Sequence, residues 1–211
     1  MLAALAAVAL HFALPESLRF GPRYGLASVI ITLVVAAAAA RHFQMHRLNA
    51  WVAYCILLVL TAGLLFGVGA LITALVHAGE QARTNAFAGE LLKSAAILWL
   101  TNIIVFATLY WRLDAGGPNS RERLDAHTQG AFLFPQMTFP APEASDKTIA
   151  EHESWRPHFL DYLFVAFNTS TAFSPTDAPV LTKWAKAAMM VQALISFTTI
   201  VLVAARGVNI L

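Results

Sequence analysis

Residues 161–177 read Asp-Tyr-Leu-Phe-Val-Ala-Phe-Asn-Thr-Ser-Thr-Ala-Phe-Ser-Pro-Thr-Asp, and this stretch decides the predicted fold. Its first half is apolar and compatible with a helix, but it has only about ten residues, whereas a bilayer crossing takes roughly 20. Its second half is a run of hydroxyl side chains that ends in Pro175, Thr176 and Asp177. A short helix, then extended polar backbone, then a full span is typical of a re-entrant loop. Such backbone is tolerated at membrane depth only where protein buries it or water lines it.

The composition of the chain points to a membrane. Hydrophobic residues make up 58% of the 211 residues and charged residues only 12%, with a mean hydropathy of +0.64. Because soluble domains carry about 25% charged residues, we expect an integral membrane protein whose first partner is the lipid bilayer. The net charge of +2 is small and the basic residues are scattered, which argues against a nucleic-acid partner. The single cysteine, Cys55, excludes an internal disulfide.

Apolar runs along the chain predict an all-α membrane protein with about five transmembrane helices plus one re-entrant loop before the last helix. Three of these spans lie in an N-terminal part, residues 1–90: they are 2–14, 24–40 and 50–77. The first run is short, and we interpret it as a tilted span rather than a secretory signal because no basic segment precedes it. In the third run, Gly63 and Gly67 have the spacing of a close-packing helix face.

Residues 91–211 form the second predicted part, a module built around the re-entrant loop. Its segments are an outer helix at 91–112, a long loop at 113–157, the re-entrant helix with its polar segment at 158–177, and an inner helix at 180–206. The loop carries seven acidic and four basic residues. Its aromatic residues and prolines predict packing onto the re-entrant region, and a flexible linker is the alternative.

The stretch 161–177 resembles the pore helix and selectivity filter of the potassium-channel superfamily, in which a sequence like Asp-x-Leu-Tyr-Phe precedes Thr-x-Thr-Thr-Val-Gly-Tyr-Gly-Asp. Without a gap, Thr169 and Thr171 fall on the family's threonines, Phe173 on its valine and Asp177 on its last aspartate. The resemblance implies a homotetramer with monovalent cations as permeant ions. It implies a filter and ion pathway formed by Thr169, Ser170, Thr171, Ala172, Phe173, Ser174, Pro175, Thr176 and Asp177. We expect no cofactor and no bound metal.

The departures from that family pattern concern the glycines. Ser174, Pro175 and Thr176 stand where the family has Gly-Tyr-Gly. Those glycines allow backbone angles that turn successive carbonyls toward the ion, whereas serine and threonine adopt positive φ rarely and proline is held near −65°. We therefore expect no strict potassium filter. The alternatives are a wider pore lined by hydroxyls and hydrated ions, or a collapsed one that conducts nothing.

Polar residues outside the filter-like segment are predicted to support it or to line the pathway. Asp161 lies at the positive end of the short helix's dipole, and Asn168 and Asn102 are predicted to support that helix; Asn102, in mid-span, should face protein. Three polar residues of the last span share one helical face: Gln192, Ser196 and Thr199. We expect them to line the pathway, and packing between helices is an equally good interpretation.

The whole chain also resembles a family of bacterial integral membrane proteins to which no function is attached. The similar stretches are WLTNIIVF (99–106), FLFPQ (132–136), TAFSPTD (171–177) and ARGVNIL (205–211). This resemblance implies a multi-pass protein of the bacterial inner (plasma) membrane and adds no chemistry. The channel resemblance puts loop 113–157 outside the cell. Arg41 and Arg47 would then also lie outside, against the positive-inside rule.

Three functions compete on these observations. The first is a channel-like, cation-conducting pore that is not strictly selective for potassium. The second is a non-conducting accessory or structural membrane protein with a channel-like fold. The third is a small-solute transporter whose site would combine Asn168, Thr169 and Asp177 with Asn102. No spacing of nucleophile, base and orienting residue is visible, so we expect neither an enzyme nor a soluble substrate.

Overall fold

The computed structural model describes residues 2–22, 24–77, 85–118, 120–121, 130–138, 155–171 and 178–208. The long α-helices in these ranges are α1 (Leu2–Ala13), α2 (Gly25–His42), α3 (His46–Val76), α4 (Asn85–Leu113), α5 (Phe159–Thr171) and α6 (Lys183–Val208). Three 3₁₀ turns lie at Glu16–Leu18, Asp114–Gly116 and Pro135–Met137. The described residues form no β-strand beyond one isolated antiparallel bridge between Phe132 and Val180. The prediction of an all-α protein is confirmed.

Four segments of the described chain are long and apolar enough to cross a membrane. They are Gly25–His42, His46–Val76, Gly89–Gly116 and Lys183–Leu202. The remaining predicted span corresponds to α1, which has 12 residues. At 1.5 Å per residue it is about 18 Å long, well short of a hydrocarbon core of about 30 Å. Four apolar helices of this length are compatible with a multi-pass membrane protein.

The chain divides into two compact units. The first unit comprises Met1–Val105 with Leu194–Leu211, and the second comprises Phe106–Ala193. These bounds fall inside α4 and α6, whereas the sequence analysis divided the chain between residues 90 and 91. The second unit therefore contains the end of α4, all of α5 and the beginning of α6.

In the first unit, α3 packs closely through its two spaced glycines. A methyl group at Gly63 would lie 2.9 Å from the Leu26 side chain of α2, and one at Gly67 would lie 2.7 Å from the Leu98 side chain of α4. Gly69, by contrast, has nothing within 4 Å of that position. The two glycines thus bring α3 against two different helices of the same chain, the close approach that small residues permit between membrane helices.

Candidate functional site

The short helix α5 lies at the centre of the candidate site. Its first turn is capped by Asp161, whose Oδ2 accepts a hydrogen bond from the His158 main-chain N–H at 2.7 Å. A carboxylate at this position satisfies an amide that the helix leaves unpaired and favours the positive end of the helix dipole. The helix has 13 residues, which is about 20 Å and too short to span a bilayer.

The last turn of α5 contains the first three residues of the predicted filter. Thr169 Oγ1 donates to the Val165 carbonyl at 2.8 Å, and Thr171 Oγ1 donates to the Phe167 carbonyl at 2.9 Å. Threonine hydroxyls that bond to the carbonyl four residues earlier are compatible with a helix. Extended backbone was expected here from the run of hydroxyls, but the structure shows that the helix continues through Thr171.

The other predicted filter residues, Ala172, Phe173, Ser174, Pro175, Thr176 and Asp177, lie outside the described residues. Asn168 is described: it is half-buried, and its carbonyl accepts a weak bond from Thr171 Oγ1 at 3.5 Å. Thr169 and Ser170 are buried and Thr171 is exposed. The structure thus describes α5 up to Thr171, directly before residues 172–177, and the chain from Ala178 onward.

Gln192 joins three helices of the second unit through a buried set of hydrogen bonds. Its Nε2 donates to the Ala166 carbonyl at 2.7 Å and to Ser170 Oγ at 2.8 Å, both on α5. Its Oε1 accepts from the Tyr110 hydroxyl of α4 at 2.6 Å. Gln192 is fully buried, with 0% of its surface exposed. Its amide is therefore used to hold α5 against α4 and α6.

Ser196 and Thr199 are also buried, in the first unit. Asn102 Nδ2 of α4 donates to Ser196 Oγ of α6 at 2.8 Å. Thr199 Oγ1 donates to the carbonyls of Ile195 and Ser196 at 3.1 and 2.9 Å. Asn102 thus faces protein and hydrogen-bonds there. These hydrogen bonds fit packing between and within helices, the alternative interpretation of these polar residues.

A buried carboxylate directly after α4 organises the second unit, and the sequence analysis placed it only in the long loop 113–157. Asp114 is fully buried; its Oδ2 accepts from the Tyr162 hydroxyl of α5 at 2.5 Å, and its Oδ1 accepts from the Ala131 main-chain N–H. A carboxylate can only accept hydrogen bonds, so both partners are donors. One side chain thereby connects α4, α5 and the loop segment 130–138.

Arg121 completes this cluster. Its Nη1 donates to the Asp114 carbonyl at 2.6 Å and its Nη2 to the Trp111 carbonyl at 3.1 Å, so the guanidinium satisfies carbonyls at the end of α4. Its guanidinium carbon lies 5.4 Å from the centre of the Tyr162 ring, within the range of a cation–π contact. Arg121 is 5% exposed. A buried positive charge thus accompanies the buried negative one.

Aromatic rings and a short pairing of extended chain hold the loop segment 130–138 in place. The ring centres of Phe132 and Phe134 lie 6.0 and 5.3 Å from that of Tyr162. Main-chain bonds run from Leu133 N to the Pro179 carbonyl at 3.0 Å and from Leu181 N to the Ala131 carbonyl at 2.8 Å. This part of the long loop therefore packs on α5 and on residues 179–181. The loop residues 122–129 and 139–154 lie outside the described part.

Neither similarity to known proteins nor a cluster of possible metal ligands assigns this site. Among the residues that the structure describes, no three His, Cys, Asp or Glu side chains come together as a possible metal site. Comparisons with protein-family models, with curated proteins and with solved structures found no match. The two family resemblances inferred from the sequence therefore stay predictions.

Proposed function

We propose that this protein is a channel-like integral membrane protein of the bacterial inner membrane, a homotetrameric cation-conducting pore with a non-standard filter. The observation that carries the proposal is that buried hydrogen bonds hold α5 in place. Asp114, directly after α4, accepts a hydrogen bond from Tyr162 near the beginning of α5, and Gln192 of α6 donates to Ala166 and Ser170 near its end. A helix too short to cross the membrane is thus held at both ends by the two long helices that flank it in the chain.

The direction of α5 favours a cation beyond its last residue. The C-terminal end of a helix carries the negative end of the helix dipole, and at Thr171 the chain continues directly into Ala172–Asp177. That segment supplies two further hydroxyl side chains and the carboxylate of Asp177. One such segment does not enclose a pathway, so conduction requires several copies around an axis. Four copies of Asp177 would form a ring that concentrates cations.

A non-conducting accessory role is the second candidate, and the character of α6 favours it. The polar residues that sequence analysis assigned to the pathway are buried in the chain, whereas three exposed side chains of the same helix are apolar: Met190, Leu194 and Phe197 are 67%, 64% and 57% exposed. A pathway lined by such residues would be a hydrophobic constriction, which excludes water. A channel-like fold that serves as a structural partner would then conduct nothing.

Ion flux into liposomes that contain the purified protein tests both candidates. Potassium and sodium are compared in parallel with chloride, and native mass spectrometry counts the subunits. We expect four subunits and a cation flux with weak discrimination between potassium and sodium. Asp177→Asn should lower the flux or its preference for cations over anions, while Glu16→Gln, the same charge change at an exposed side chain, should leave it unchanged.

A triple variant distinguishes a closed filter from the absence of a pore. In it, Ser174→Gly, Pro175→Tyr and Thr176→Gly restore the family pattern. Flux only in this variant would support the accessory role, because the scaffold would be channel-like and the native segment closed. The proposed cation pathway would be contradicted if neither protein shows ion flux. It would also be contradicted if the wild type shows a flux that Asp177→Asn leaves unchanged. Uptake of a small solute without ion flux would favour the transporter alternative.

A further inference from the structure

The turn between α2 and α3 forms a compact exposed surface, residues 41–47, which we name the basic turn. Its main-chain amides at Phe43 and Met45 donate to carbonyls in the last turn of α2 at 2.9 and 2.8 Å, and Gln44 takes a left-handed φ of +56°. Carbonyls at the end of α2 are therefore satisfied by amides of the turn itself. The side chains point outward: all seven residues of the basic turn are exposed.

The basic turn carries positive charge without an acidic counterpart. Its arginines are Arg41 and Arg47, and the sequence contains no Asp or Glu between Glu16 and Glu80. In the part of the chain that the structure describes, neither arginine takes part in an ion pair. Arg19 of the same unit differs, because its guanidinium donates to carbonyls at the end of α1 at 2.7 and 2.9 Å. Two guanidinium groups of the basic turn are thus available to an anion from outside the chain.

Large apolar side chains are interleaved with these charges. Phe43, Met45 and Trp51, one turn into α3, are 71%, 51% and 70% exposed. Since α2 and α3 are both long enough to cross the membrane, the short turn that joins them lies where the bilayer meets water. Aromatic and basic side chains are enriched at this level of membrane proteins. A soluble polyanion would match the charges but would leave the apolar side chains in water.

We propose that the basic turn binds the headgroups of anionic phospholipids. The guanidinium groups of Arg41 and Arg47 form charge-assisted hydrogen bonds to the lipid phosphates, and Phe43, Met45 and Trp51 lie among the upper parts of the acyl chains. The attraction of basic side chains to an anionic surface is electrostatic and falls off within a Debye length. The proposal rests on this surface alone and holds whether or not the protein conducts ions.

Cys55 provides a reporter for the test because it is the single cysteine of the chain and is exposed. It lies nine residues after the start of α3, which is about 14 Å along the helix axis. With His46 at the level of the headgroups, Cys55 lies at the level of the acyl chains. A bimane fluorophore on Cys55 is quenched by lipids brominated in mid-chain. Quenching by brominated phosphatidylglycerol is compared with quenching by brominated phosphatidylcholine, and the ratio measures the preference for the anionic lipid.

The expected result is an anionic-lipid preference that depends on the two arginines. Arg41→Gln and Arg47→Gln should each lower it about fivefold, the size of one basic residue's attraction to an anionic surface, and high salt should lower it in the wild type. Lys183→Gln with Lys186→Gln removes two exposed charges elsewhere and should leave it unchanged. Equal quenching by both lipids, or an equal loss in the lysine variant, would overturn the proposal. Displacement of the lipid by inorganic phosphate, but not by chloride at equal ionic strength, would also overturn it and indicate a small-anion site.

Discussion

Replacing Asp114 with alanine should release the loop segment 130–138 from α5. The carboxylate is fully buried and accepts hydrogen bonds from the Tyr162 hydroxyl and from the Ala131 main-chain N–H. Alanine removes both acceptors and leaves two donors in a site that water does not reach. The guanidinium of Arg121, which lies over the Tyr162 ring, also loses the negative charge nearby.

The size of this effect follows from the number of donors left unsatisfied. A buried donor without an acceptor costs about 1–3 kcal/mol, so the two donors together destabilise the packed loop by at least about 2 kcal/mol. A tenfold change in an equilibrium corresponds to about 1.4 kcal/mol. The opening of the segment around Ala131 should therefore become at least about 30-fold more frequent.

Hydrogen exchange followed by mass spectrometry measures this opening directly. Amide exchange in residues 130–138 should accelerate in Asp114→Ala. Tyr162→Phe should accelerate it less, because the Ala131 bond remains. The double variant should be less than additive because both changes remove the same hydrogen bond. Glu16→Ala, which removes an exposed carboxylate, is the control. Exchange in 130–138 that stays at the wild-type rate in Asp114→Ala would refute the role of this carboxylate.

Three further sets of variants test other contacts of the structure. Gln192→Leu should lower the stability of the protein against denaturing detergent. Adding Tyr110→Phe should restore part of the loss, because it removes the buried donor that Gln192→Leu leaves without an acceptor. The double-mutant cycle should give a coupling energy of about 0.6–1.7 kcal/mol, and zero coupling would contradict the contact. Gly117→Ala should destabilise the folded protein. The φ of +85° alone costs a non-glycine residue about 1–3 kcal/mol, and the added methyl would also lie 2.6 Å from a main-chain carbonyl oxygen. Gly69→Ala, which meets nothing within 4 Å, should be neutral or slightly stabilising in the same melting experiment. Asp161→Ala removes the cap and should lower the stability of the first turn of α5 by about 0.5–2 kcal/mol. Hydrogen exchange in that turn should then be faster, and an unchanged rate would show that the cap is dispensable.

Several features of this protein could be predicted because they are local properties of the chain. The apolar runs around α2, α3, α4 and α6 are long enough to be recognised from hydropathy and length alone. The helix α5 could be recognised as too short to span, and the acidic residue in its first turn as favourable for the helix dipole. The spaced glycines of α3 likewise stood out as a packing face, because small residues at a spacing of four share one side of a helix.

Other features depended on packing that composition does not encode. The hydroxyls of Thr169 and Thr171 suggested extended backbone, but each bonds to a carbonyl of its own helix, so α5 continues for another turn. The polar residues of α6 have the same spacing whether they face a pathway or another helix. Only the positions of the neighbouring helices distinguish the two cases.

The sequence by itself thus determined the membrane class, the helical architecture and the short helix before the last span. The tertiary structure alone decided which polar groups pair. Tyr162 and Asp114 are 48 residues apart in the chain, and Tyr110 and Gln192 are 82 apart. A buried donor must find an acceptor wherever the fold places one. Because the partner is chosen by three-dimensional proximity, no spacing in the sequence reveals it.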